Sequence, residues 1–191
     1  QQSALAEIAR KQKQDAFTGE ENITKRTLLA DLPNTQTHAL ILSGIRRCGK
    51  STLLRQFARD QFDDVFYLNF EDIRLYGFDI KDFVLLDNVI AETGLKVLYF
   101  DEIQIVEGWE LFIRQKLDQK FQVIITGSNA SLLSVELGTK LTGRHITKEL
   151  FPFSFSEYLD FKQMEANAES LTGYLTEGGF PEYLKQQLPE I

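Results

Sequence analysis

The residues with the clearest chemistry lie in one stretch, Ser43-Gly44-Ile45-Arg46-Arg47-Cys48-Gly49-Lys50-Ser51-Thr52. Gly44 to Ser51 fits the pattern G-x-x-x-x-G-K-[ST] with no substitution. Two glycines let the backbone curl until successive N–H groups face one anion, a geometry that a Cβ would obstruct. A helix starting at the end of the run adds its own unpaired N–H groups and positive dipole end. Lys50 supplies a point charge for the β- and γ-phosphates of a nucleotide, and the Ser51 hydroxyl is placed to ligate Mg2+. Gly44 through Thr52 is therefore the candidate nucleotide-binding segment, to which Ile45, Arg46, Arg47 and Cys48 contribute backbone.

A second chemistry stands at Val97-Leu98-Tyr99-Phe100-Asp101-Glu102, four apolar residues ending in two carboxylates. Ligands of open parallel sheets bind outside the carboxyl ends of the strands, which would set Asp101 beside the phosphate loop. Asp101 would then hold Mg2+, directly or through water, and Glu102 could polarise the water that attacks the γ-phosphate. The competing reading of such a pair is a helix N-cap with its first-turn acid.

The elements that must position these groups alternate. Helical spacing covers residues 4–13, and Ile23 to Leu32 reads as a second short helix stopped by Pro33-Asn34. Strands are expected at Ala39–Leu42, Val65–Leu68, Val97–Phe100 and Val123–Thr126, with helices at Ser51–Arg59, Ile80–Glu92 and Gly108–Asp118 between them. Short continuous apolar runs are what strands buried on both faces look like. Their alternation with helices calls for crossovers and a parallel α/β sheet. From Pro152 on the pattern is helical only: Ser156–Lys162, Glu165–Leu175 and Pro181–Leu188. The expected division is residues 1–32 as an N-terminal helical segment, 33–152 as the core, and 153–191 as the start of a helical lid or linker.

Composition bounds the class. The chain has 191 residues, 43% hydrophobic and 26% charged, with net charge −7. That is globular composition, and the acidic balance argues against a generic polyanion binder. No apolar run reaches the roughly 18 residues of a membrane span, and no signal peptide is visible. With Cys48 alone there is no intrachain disulfide or zinc site. The expected setting is the cytoplasm. The absence of an initiator Met suggests a piece of a longer protein.

Gly44–Thr52 followed by Asp101-Glu102-Ile103-Gln104 resembles the AAA-type ATPases, P-loop NTPases of the AAA+ superfamily. It resembles in particular the prokaryotic ATP-binding proteins whose ATPase core precedes a nuclease-like C-terminal domain. The likeness runs on through Asn69-Phe70-Glu71-Asp72, Thr126-Gly127-Ser128, Leu141-Thr142-Gly143-Arg144, Leu150-Phe151-Pro152-Phe153-Ser154-Phe155 and Gly178-Gly179-Phe180-Pro181. It implies a P-loop NTPase three-layer sandwich with a mainly parallel five-stranded sheet, then the start of a helical lid. It also implies ATP and Mg2+ as ligands, and a homo-oligomer. A DNA or protein partner, engaged through the downstream domain, belongs to the same implication.

Within that resemblance Ser128 matches a polar sensor of the γ-phosphate or attacking water, with Asn129 as the fallback. An ordinary turn capping the next helix competes with it. Arg144 resembles the family's arginine finger, against a surface arginine leading into a strand at His145–Leu150. Glu71-Asp72 could reach the metal site or cap a helix. Arg46 and Arg47 could contact nucleotide, a neighbouring subunit or DNA, though a solvated surface is the simpler reading; Cys48 reads as packing, and His38 and His145 as structural. Two functions follow. One is Mg-dependent ATP hydrolysis coupled to conformational change, with Glu102 as base and Lys50, Arg144, Ser128 and Asn129 assisting. The other is a nucleotide-regulated interaction module with little turnover.

Overall fold

The structure, a computed structural model, describes residues 1–18, 24–128 and 135–186. Its centre is β1 (Ala39–Gly44), buried along its whole length. The strand is apolar without alternation because both of its faces are covered. Around it stand β2 (Phe66–Asn69), β3 (Val97–Asp101), β4 (Gln122–Thr126) and β5 (His145–Leu150). All pairings are parallel, in the order β2-β3-β4-β1-β5.

Alternate side chains of the strands build two cores. Ala39, Ile41, Leu68, Phe100 and Ile125 pack with α3 (Phe83–Thr93), α4 (Trp109–Asp118) and part of α1 (Gln2–Phe17). Leu40, Leu42, Tyr67, Tyr99 and Ile124 pack with Leu53, Leu54 and Phe57 of α2 (Lys50–Gln61). This is the expected three-layer α/β sandwich with its parallel five-stranded sheet. Strand order also sets the site. β4 lies between β1 and β3, and Asp101 is paired in register with Thr126. The carboxyl ends of β1, β4 and β3 thus stand in a row.

The N-terminal helix closes the β2 edge of the sheet. The Gln12 carboxamide accepts from Asn69 N at 2.7 Å and donates to Asn69 O at 3.1 Å, pairing with the strand as a neighbouring peptide would. The last carbonyls of α1, on Ala16 and Phe17, accept from Arg55 at 2.9 Å and Arg59 at 2.8 Å.

One expected helix is reduced. Between Arg26 and Pro33 the chain forms only a 3-10 turn, Thr27–Asp31, and Ile23 lies outside the described residues. A stretch this short, begun by an extended Arg26 and ended by proline, does not outweigh the cost of an α-helical nucleus.

Past a short α5 (Val135–Lys140) and β5 come three helices: α6 (Phe155–Lys162), α7 (Ala168–Glu177) and α8 (Pro181–Gln186). Reciprocal capping boxes start the first two, Ser154 with Glu157 and Asn167 with Ser170. Proline at the first position starts the third. Phe153, Tyr158 and Leu184 form their own small core. Leu188, the expected end of the last helix, lies outside the described residues. Among the described residues no helix is long and apolar enough to cross a membrane.

Candidate functional site

The phosphate loop leaves β1 at Gly44, and its neighbour dictates the glycine. A Cβ there would meet the Leu150 carbonyl oxygen of β5 at 2.3 Å. At Gly49 space is not limiting, but φ of 97° puts the backbone in the left-handed region immediately before α2. Arg47 also has positive φ, 68°. Lys50 is buried and bends back over the loop, its Nζ donating to Gly44 O at 2.9 Å and Ile45 O at 3.0 Å. An ammonium has three donors, so one is left for an anion at the loop mouth. Cys48 packs inside the loop, where burial pushes its thiol pKa up and Sγ donates to Leu150 O at 3.4 Å.

Asp101 lies at the end of β3 and is 4% exposed. Thr126 Oγ1 donates to its Oδ1, and Tyr67 OH donates to its Oδ2 at 3.3 Å. The nearby Ser51 hydroxyl also favours its charged form. Burial nonetheless raises the Asp101 pKa, so the charged form lacks a counter-charge. A hydroxyl and a buried carboxylate are hard oxygen donors of the kind Mg2+ takes, and Mg2+ generally completes its shell with water and substrate phosphates. Ser51 and Asp101 fit such an ion. Among the described residues no group of three or more His, Cys, Asp or Glu could hold a metal unaided.

Glu102 has φ of 55° and makes no cap with its side chain, so the capping alternative does not describe it. Its carboxylate accepts from Gln104 Nε2 and lines an open groove with Arg46, Arg47, Lys50, Ser51 and Glu71. Across this groove Arg46 pairs with Glu71 at 2.8 Å, and Arg47 with Glu182 of α8 at 3.3 Å. Both arginine side chains remain largely exposed, 77% and 70%. Asp72 is not among the residues lining this groove. It caps the 3-10 turn Ile73–Leu75, and hydrogen bonds from Arg74 hold its carboxyl far below the usual range.

Not every expected residue gathers here. Ser128 is half-buried two residues beyond β4 and is not among the residues lining the groove. Asn129 lies outside the described residues. Arg144 precedes β5 at the opposite end of the sheet and pairs with Asp118 at 2.6 Å. Because Ala39 is in register with His145 and Gly44 with Leu150, Arg144 stands roughly 20 Å along the strands from its own loop. It cannot reach those phosphates within one chain. His38 and His145 sit at the same far end, where burial and the neighbouring His38 push the His145 pKa down.

Sequence reasoning missed Tyr67, Thr126 and Arg26. Thr126 left a signal, a polar residue ending the apolar run of β4. Tyr67 looked like core, and its rings do pack there, 4.9 Å from Tyr99 and 5.7 Å from Phe17. Arg26 left none. Beside it a narrow cavity opens between Leu53, Gln56, Phe153, Phe161 and Pro181, with the Gln56 Oε1 buried and unpaired.

Comparison with known proteins bears on the family. Residues 36–159 match the family described as AAA domain. An uncharacterized protein of Methanocaldococcus jannaschii is 39% identical over 155 residues, covering 74% of this chain and 35% of its own. An uncharacterized protein of Haemophilus influenzae is 35% identical over 164 residues, covering 78% of this chain and 41% of its own. The chain thus spans about a third to two-fifths of the length of these relatives. Among solved structures, the Saccharomyces cerevisiae Hsp104:casein complex in its extended conformation aligns with TM-score 0.49 and 20% identity, over 91% of this chain and 33% of that one. With the family match covering the sheet, the phosphate loop and the carboxylate pair, the chain belongs to the AAA domain family and carries a nucleotide-binding core.

Proposed function

We propose that the protein is a Mg-dependent ATPase that couples hydrolysis to a conformational change. The observation that carries this is Glu102, an uncapped carboxylate on the wall of the groove that Lys50 and Ser51 also line, directly after buried Asp101. In this reading loop amides and Lys50 hold the β- and γ-phosphates of ATP. Ser51 and Asp101 would hold Mg2+, which would offset charge on the phosphate oxygens. Glu102 accepts a proton from a water molecule as that water's oxygen bonds to the γ-phosphorus. The bond to the bridging oxygen breaks, and ADP leaves with that electron pair.

Arg144, at the far end of its own sheet, reaches a γ-phosphate only from a second copy, so this reading includes a homo-oligomer. Ser128 and Asn129 remain the proposed polar contacts beyond β4. The conformational change would act on a partner or on the longer protein's remaining domain, which the resemblance makes nuclease-like and DNA-associated, in the cytoplasm.

The test compares phosphate release from Mg-ATP by wild type and Glu102→Gln. The variant should retain ATP binding and lose ~10²–10⁴-fold in turnover. Hydrolysis at the wild-type rate would remove Glu102 as the base. A second reading, a nucleotide-regulated interaction module with little turnover, is favoured by the links from loop to lid, such as Arg47 with Glu182. It predicts slow wild-type hydrolysis together with a nucleotide-dependent change in subunit or partner association.

A further inference from the structure

We propose that Arg26 is a positioning residue for phosphate binding, clamping the Cys48–Gly49 peptide so that the Gly49 N–H faces the groove. This rests on the nucleotide-binding reading of the same loop. The Arg26 side chain is 7% exposed although it stands in a short irregular segment before the sheet. Nη1 donates to Cys48 O at 3.0 Å and Nη2 to Phe151 O at 2.6 Å. Nε lies 3.1 Å from Glu157 Oε1, an ion pair whose angle falls short of a hydrogen bond. The Phe153 ring lies 4.8 Å below the guanidinium carbon. Glu157 is 3% exposed, and its Oε1 also accepts from Thr27 N at 2.8 Å and Thr27 Oγ1 at 3.1 Å. Its Oε2 accepts from Ser154 N at 2.9 Å. One guanidinium therefore joins the phosphate loop to the end of β5 and to α6.

The consequence follows from peptide planarity. The described peptide bonds are all trans, so the Cys48 carbonyl and the Gly49 N–H point in opposite directions. Gly49 lines both the groove, with Lys50 and Ser51, and the narrow apolar cavity that contains Arg26. Arg26 lines only the cavity. Holding the carbonyl on the Arg26 side thus turns the N–H toward the groove, where an anion would accept it. A clamp is needed here because glycine, free to adopt both signs of φ, lets this peptide turn over at small cost. Since the same side chain binds Phe151 O and Glu157, movement of α6 would shift the clamp, making phosphate affinity depend on the position of the helices beyond β5.

The test uses two variants, because Arg26→Met alone would leave Glu157 buried and unpaired. Arg26→Lys keeps the charge but cannot bond Cys48 O, Phe151 O and Glu157 together. Arg26→Met with Glu157→Leu removes both charges in similar volume. Folding is checked by circular dichroism, ADP affinity by titration, and the Gly49 amide by ¹H–¹⁵N NMR as ADP is added. In wild type the Gly49 proton should move downfield on binding. In the folded variants ADP affinity should fall about 10- to 100-fold and that shift should vanish, the scale of one hydrogen bond to a charged group. Folded variants that bind ADP as wild type does overturn the assignment. Weaker binding with the Gly49 shift intact also overturns it, since general loosening then explains the loss. Wild type that binds neither ADP nor ATP overturns the nucleotide reading itself, and this assignment with it.

Discussion

At the carboxyl ends of β1, β3 and β4 the chain gathers Lys50, Ser51, Asp101, Glu102 and Thr126, with Lys50 and Asp101 buried and held by several partners each. At the amino ends of β1 and β5 it leaves His38, Arg144 and His145, with Arg144 one third exposed and paired to an Asp118 carboxylate that is two thirds exposed. Strand polarity makes this difference. In a parallel sheet every strand delivers its last residues, and the start of the following helix, to one edge, so anion-binding amides and metal-binding acids accumulate there. The other edge receives residues spaced for solvent or for another surface. On the proposed reading, one end binds a nucleotide by itself and the other contributes only across an interface.

The largest expected effect comes from testing that division. Replacing Arg144 by Ala should leave ATP binding intact and lower turnover by ~10³–10⁵, the range for an arginine finger supplied in trans. Steady-state phosphate release and a binding titration check it, and unchanged turnover would make Arg144 a surface residue paired with Asp118. Next is Gly44→Ala at the carboxyl end. Its Cβ would meet Leu150 O at 2.3 Å, so denaturant unfolding should show a loss of ~1–3 kcal/mol, with phosphate binding impaired in whatever folds.

The smallest effect is also the least intuitive. Burial raises the folded pKa of Asp101 above its unfolded value, so the fold binds the extra proton more tightly. The stability linked to this group is therefore complete below the unfolded pKa and is lost as pH rises through the folded one. Without Mg2+, Asp101→Asn should raise the melting temperature at neutral pH slightly and flatten its dependence on pH. The same variant should lose Mg-dependent nucleotide binding. Its melting temperature falling instead would mean that the Thr126 and Tyr67 bonds outweigh the desolvation.

Much of this was legible before any coordinates. The loop from Gly44 to Thr52 reads directly because its chemistry is local: two glycines, a lysine and a hydroxyl at fixed spacing. The strands read as apolar runs because two-sided burial demands them, and Asp101-Glu102 reads as the end of one such run. The clamp around Arg26 does not read, since its partners lie 22, 125 and 131 residues away and no periodicity relates them. Tyr67 hides for the opposite reason: its ring obeys the core pattern while its hydroxyl, 3.3 Å from Asp101 Oδ2, serves the site. Arg144 was visible as a residue but not as a location. Only the register of β5 on β1 shows which end of the sheet it occupies.

The most direct test of the central claim, that the carboxyl end binds Mg-ATP, is an equilibrium titration of wild type and Lys50→Ala with ATP, with and without Mg2+. Wild type should bind ATP more tightly with Mg2+ than without, and Lys50→Ala should lose that binding while keeping its fold. Absence of binding in wild type, or equal affinity in Lys50→Ala, would contradict it.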